Sequence, residues 1–194
     1  MKLFQPMYDL ALRWAGHRHA PGYLAGLSFA ESTVFPVPPD VMLIPMVLRR
    51  PARWWQLAGL CTVASVVGGV FGYLIGQFAF EFIAPLIERF GYQDKFVKAQ
   101  QGFEQYGFWV VLLAGFSPIP YKVFTIASGT VGMPLLPFVL GSLVGRGGRF
   151  FLVAGLIRLG GFEAEARIRR YVEVLGWVLV VLVLIGLAWW RLAH

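Results

Sequence analysis

Phe116-Ser-Pro-Ile-Pro-Tyr-Lys-Val-Phe-Thr-Ile-Ala-Ser-Gly129 sets two prolines, Pro118 and Pro120, and the charged Lys122 inside an otherwise apolar run. A soluble core rarely accepts that combination, and neither does a plain transmembrane helix. Proline removes a backbone donor, and a charge is expensive in hydrocarbon. Phe35-Pro-Val-Pro-Pro-Asp-Val41 has the same form. Phe35–Val41 aligns over Ser117–Val123, so that Pro36 and Pro38 fall on Pro118 and Pro120. Val41 falls on Val123, and the charged position reads Asp40 in one copy and Lys122 in the other.

The surrounding composition says which solvent these stretches meet. Of 194 residues, 58% are hydrophobic and 14% charged, with a mean hydropathy of +0.67. Soluble chains carry about 25% charged residues, so an integral membrane protein is expected. The net charge of +7 would suit nucleic acid only if it formed a clustered basic face interleaved with aromatics. Here the basic residues sit at the ends of apolar segments, so no nucleic-acid partner is expected. Cys61 is the single cysteine and reads as a small helix residue, without a disulfide or a cysteine-based metal site. His17 and His19, two apart, face away from each other on a helix and read as exposed. Neither a cofactor nor a metal is expected.

Along the chain, Leu3, Phe4, Met7, Leu10, Ala11 and Trp14 recur at helical spacing. They predict an amphipathic interfacial helix over 1–21, with no signal-peptide pattern. The next run, 22–48, is apolar except for Glu31 and Asp40, and Pro36, Pro38 and Pro39 interrupt it. Its first arm, Gly22 to Phe35, is roughly 21 Å long at 1.5 Å per residue, short of the roughly 30 Å hydrocarbon core. Two short arms around a proline turn describe a re-entrant hairpin better than one kinked span. Non-helical backbone at that depth must be buried in protein or face water.

A spanning helix is expected over 54–80, with Trp54 and Trp55 as its interfacial anchor and Gly68, Gly72 and Gly76 as a surface for close helix contact. Residues 81–107 mix charges with phenylalanines and read as a helical interfacial connector broken near Gly91. The second hairpin covers 108–129. A second spanning helix follows over 136–157, and 158–194 holds a basic connector and a last span, Val174–Trp190. With the N-terminus cytoplasmic, Lys2, Arg13, Arg18, Arg49, Arg50, Arg53, Arg158, Arg167, Arg169 and Arg170 lie inside. Arg89, Lys95, Lys98 and Arg191 lie outside. The two hairpins then enter from opposite faces.

Each half therefore reads hairpin, then spanning helix. Ser65-Val-Val-Gly68 recurs as Ser142-Leu-Val-Gly145, and Tyr73 falls on Phe150. The expected fold is an all-α polytopic membrane protein. It is an inverted repeat of re-entrant hairpin plus transmembrane helix, with an N-terminal interfacial helix and a C-terminal transmembrane helix. In such folds the site lies near the midplane, where the broken segments meet. The first half supplies Glu31 and Asp40 there, and the second supplies Lys122, Arg146 and Arg149. Arg146 and Arg149 share a helix face and replace Gly69 and Gly72 of the first copy. Two roles compete for these charges. Acids of one half can neutralise bases of the other and lock the halves. Alternatively, the arginines can grip a phosphate while Glu31 or Asp40 carries a proton.

Three blocks carry a family resemblance. They are Phe29-Ala-Glu31-Ser-Thr-Val-Phe-Pro36-Val-Pro38-Pro-Asp40, Pro118-Ile-Pro120-Tyr-Lys122-Val-Phe-Thr-Ile-Ala-Ser-Gly129 and Gly145-Arg146-Gly-Gly-Arg149-Phe-Phe151. In this order, over roughly Gly22–Ile157, the chain resembles the DedA family, also called VTT-domain or SNARE-associated-like membrane proteins. The resemblance implies two opposed re-entrant hairpins. It also implies a role in moving lipids or maintaining the envelope: recycling of polyprenyl-phosphate carrier, phospholipid flipping or scrambling, or proton-motive-force homeostasis. The family's essential acidic and basic positions map onto Glu31, Asp40, Lys122 and Arg149. The commoner pattern places an arginine just before the second proline loop and another closing it. Here those positions read Gly115-Phe116-Ser117 and Lys122, so the chain looks like a divergent subgroup.

The expectation is a multi-pass protein of the inner or plasma membrane, with membrane lipids as partners, that moves a phosphate-bearing lipid, with or without proton coupling. A coupled small-solute transporter and a non-transporting scaffold are the alternatives. No enzyme is expected, because no nucleotide loop, nucleophile elbow or metalloprotease motif is present. Homo-oligomerisation stays open.

Overall fold

The structure, a computed structural model, describes residues 17–33, 37–90, 93–117 and 120–193. Most of the interfacial helix expected over 1–21 lies outside the described residues, as do Pro36, Pro118 and the break near Gly91. Every regular element among the described residues is helical: α1 Ala20–Thr33, α2 Asp40–Arg49, a 3-10 turn Pro51–Arg53, α3 Trp54–Arg89, α4 Gln93–Phe116, α5 Tyr121–Thr130 and α6 Leu135–Ala193. Two stretches, Pro51–Phe82 and Leu135–Gly161, are long and apolar enough to cross a membrane.

Prolines mark two of the helix starts, while Pro45 lies inside α2 and Pro85 inside α3. Pro39 caps α2 and Pro120 caps α5, each just outside a helix that cannot extend back through it. α2 carries Asp40 in its first turn and Arg49 in its last, both favourable to the helix dipole. The hydroxyls of α5 turn inward to their own backbone, Thr125 to the Lys122 carbonyl, Ser128 to Phe124 and Thr130 to Ile126. Satisfied in this way, they allow a short helix to be buried without water. The end of α5 is a left-handed stop. Gly132 sits at φ 72°, and the Met133 N–H reaches back to the Ser128 carbonyl at 3.0 Å. Gly161, at φ 60° and ψ −156°, divides α6 into two helical stretches.

α3 continues to Arg89 and α4 begins at Gln93, so the polar region expected as a separate connector prolongs two long helices instead. Its Lys, Gln, Glu and Ala residues are good helix formers.

The central helices α3 and α6 run antiparallel. Near the start of α3, Leu57, Ala58 and Cys61 pack with Phe150, Val153, Ala154 and Ile157 of α6. Farther along α3, Tyr73 meets Phe138, near the start of α6, with ring centroids 5.2 Å apart. The first of these clusters is completed by α1 and α2 and the second by α4 and α5. Each first arm lies on the central helix that follows it, α1 on α3 and α4 on α6. The second arms cross over, α2 to α6 and α5 to α3. Two glycines mark the matched approaches. A methyl on Gly68 would overlap the Phe29 carbonyl of α1, and one on Gly145 would overlap the Leu112 carbonyl of α4.

Candidate functional site

α6 crosses the middle of the bundle with Arg146 and Arg149 one turn apart. Opposite it, α1 ends close to Glu31, and α2 starts at Asp40. The structure brings these four residues together as two ion pairs, Arg146 with Glu31 and Arg149 with Asp40.

The Arg146 side chain is 2% exposed and its Glu31 partner 17%. Nη2 donates to Glu31 Oε2, while Nε donates to the Ser65 hydroxyl of α3 at 2.6 Å. The guanidinium carbon lies 5.0 Å from the Tyr121 ring centroid and 4.7 Å from that of Phe150. Ser65 in turn bonds Ser32 of α1 at 2.6 Å, and the Tyr121 hydroxyl donates to Ser142. One arginine thereby ties α1, α3 and α5 to α6. Removing one partner of such a buried pair leaves an uncompensated charge, at a cost of about 3–5 kcal/mol.

Arg149 is held differently. Nη2 donates to Asp40 Oδ2 at 3.0 Å, and Nη1 donates to the Ser117 backbone carbonyl at 3.2 Å. Asp40 follows the first proline break and Ser117 precedes the second, so Arg149 touches both. The side chains are 19% and 14% exposed. Arg149 Nε and Asp40 Oδ1 are themselves buried and have no hydrogen-bond partner among the described residues. Buried polar atoms are nearly always satisfied, so two orphans in one ion pair are notable.

Lys122 stands in the first turn of α5, half-buried, at the position that matches Asp40 in the other half. Pro38 and Pro39 lead directly into Asp40, and Pro120 leads into Tyr121. His17 and His19 are exposed, and Cys61 is buried in the first core. No group of three or more His, Cys, Asp or Glu residues suited to a metal occurs among the described residues.

Sequence reasoning missed Ser32, Ser65, Tyr121, Ser142 and Phe150 as partners of the charges. The repeated Ser-x-x-Gly of Ser65 and Ser142 was the available signal, since a polar residue repeated in an apolar span needs a partner. It also missed why the first copy carries glycines where the second carries arginines. A Cβ at Gly69 would lie 2.9 Å from the Tyr121 hydroxyl, and one at Gly72 would overlap the Thr125 hydroxyl. In the first half, side chains of α5 occupy the space along α3 at the positions that match the arginines.

The VTT domain family matches residues 37–159, a range that takes in Asp40, Lys122, Arg146 and Arg149. This chain belongs to the VTT-domain, or DedA-type, family of membrane proteins. It is 45% identical to a protein of Haemophilus influenzae over 96% of this chain and 97% of that one. It is 43% identical to a protein of Histophilus somni over 95% and 97%. Neither relative's name carries an activity. No solved structure matches. Glu31 lies just ahead of the matched VTT range, although the structure couples it to Arg146 inside that range.

Proposed function

We propose that this VTT-domain protein moves a phosphate-bearing lipid, such as a polyprenyl phosphate or a phospholipid, across a cell (inner or plasma) membrane that it crosses several times. The observation that carries the reading is Arg149, which bonds residues flanking both proline breaks and whose buried Nε has no partner among the described residues. The antiparallel central helices, the crossed-over second arms and the matched glycines support two re-entrant hairpins entering from opposite faces. α2 and α5, at 10 residues each, are about 15 Å long, half of a roughly 30 Å core.

A phosphate entering between the breaks meets a guanidinium with a free Nε, and the planar fork suits bidentate contact with its oxygens. The phosphate takes the place of Asp40 on Arg149. When the lipid leaves, the Arg149–Asp40 ion pair re-forms.

The test is lipid translocation in vesicles reconstituted with purified protein. Arg149→Ala and Asp40→Asn should both fall to the protein-free rate while remaining folded in detergent. Translocation by either at the wild-type rate would remove the proposed role. A scaffold is the second reading, favoured by the Arg146–Glu31 pair, which leaves no buried polar side-chain atom without a partner among the described residues. It predicts no translocation by the wild type and loss of assembly when Arg146 is replaced.

A further inference from the structure

Away from the paired charges, the chain forms a concavity of its own. A cavity of about 100 Å³ opens where α1 starts, α2 ends and α3 begins. Its floor includes the buried side chains of Ala20, Met46 and Leu57. Its rim carries the exposed side chains of Arg50, Arg53 and Gln56. That volume admits a few water-sized groups, enough for a phosphate and too little for a whole lipid.

Local chemistry fixes the rim. The Arg50 N–H closes α2 on the Met46 carbonyl, Pro51 starts the 3-10 turn, and the Arg53 N–H bonds the Arg50 carbonyl, each at 3.0 Å. Arg50 precedes the turn and Arg53 ends it, and both line the same cavity. Trp54 and Trp55 follow directly, and tryptophans of this kind mark headgroup depth. From Arg53 the same face of α3 runs on through Gln56, Leu60, Val63, Val67 and Phe71, at steps of three and four. It is polar at the headgroup end. Beyond Leu60 it is apolar and exposed.

We propose that this cleft binds the phosphate of an anionic phospholipid, held by Arg50 and Arg53, with an acyl chain lying along the Leu60–Phe71 face. Basic clefts beside membrane helices suit such headgroups. The site requires only the membrane placement of the chain and stands apart from the transport reading, because neither Arg149 nor Asp40 takes part.

The experiment is native mass spectrometry of the full-length protein released from bilayers of equal phosphatidylglycerol and phosphatidylcholine. Wild type should retain phosphatidylglycerol selectively. The double variant Arg50→Gln, Arg53→Gln should weaken that retention about thirtyfold, the worth of two arginines near an anionic lipid. Leu60→Trp, which fills the cleft and leaves every charge in place, should also lose the lipid. Both variants change residues at an exposed or half-exposed rim, and their melting temperatures serve as the folding control. Equal retention by all three proteins would overturn the proposal, as would equal retention of the two lipids. Loss in the arginine variant with full retention in Leu60→Trp would reduce the effect to general surface attraction and overturn the built site. Loss only in Leu60→Trp would overturn the anionic class. No retained lipid in the wild type would overturn it too.

Discussion

Arg146 and Arg149 stand one helical turn apart on α6, carry the same group and each face a carboxylate, yet their surroundings are opposite. Around Arg146 lie two serines in series, two aromatic faces and a glutamate, and its side chain is 2% exposed. Among the described residues, Arg149 donates to one aspartate and one backbone carbonyl, and its buried Nε has no partner. A charge whose partners all belong to the protein locks helices together. A charge whose partners are incomplete has capacity for a ligand. On the function proposed above, the choice between lock and site divides between these two arginines.

The largest expected effect breaks the lock. Arg146→Ala takes the arginine partner from the part-buried Glu31 and should destabilise the protein by about 3–5 kcal/mol, read as denaturant unfolding in detergent. The double variant Arg146→Met, Glu31→Gln should recover most of that loss, since neutral replacement of a whole buried pair is often tolerated. A double variant as unstable as Arg146→Ala would mean that the pair does more than satisfy itself.

Arg149→Ala comes next. It removes charge-assisted hydrogen bonds worth about 1.5–3 kcal/mol, so its loss of stability should be the smaller of the two. Its loss of translocation should be complete. Reversal of that order would dissolve the distinction between the arginines.

The two halves can be compared in the same way. Gly68→Ala and Gly145→Ala each push a methyl into a backbone carbonyl that cannot rotate aside. Each should cost about 1–3 kcal/mol from overpacking, and the two losses should be similar. A strong effect at one position alone would break the correspondence between halves. The smallest expected effect is that of Ser142→Ala. It takes one acceptor from the Tyr121 hydroxyl and should cost about 1 kcal/mol, measured by the same unfolding assay.

Legibility in the sequence followed the strength of local chemistry. Pro38, Pro39 and Pro120 announced the helix breaks because proline acts on its own neighbours. Glu31, Asp40, Arg146 and Arg149 announced a site because charge in an apolar run demands a partner. That acids of one half could meet bases of the other was legible too, but which acid meets which base, and which neutral groups join them, was not. Ser65 lies 81 positions from Arg146, and a serine in a glycine-rich helix reads as one more small residue. Tyr121 looked like part of the proline loop, although its ring faces Arg146 and its hydroxyl fills the space above Gly69. The helical character of residues 93–107 was legible, but their continuity with the apolar arm that follows was not, because the polar-to-apolar change at Phe108 read as a boundary. The cleft beside Arg50 and Arg53 was hidden because basic residues at a span's end already have an explanation in topology.

Arg149→Lys tests the central claim most directly. Lysine keeps the charge opposite Asp40 and so keeps the ion pair, but it loses the planar fork and with it the contact to Ser117. Measured as lipid translocation per folded protein in vesicles, the variant should retain near-wild-type stability and fall at least about tenfold in rate, the worth of one bidentate contact. Translocation at the wild-type rate would show that Arg149, like Arg146, serves only to hold the helices together.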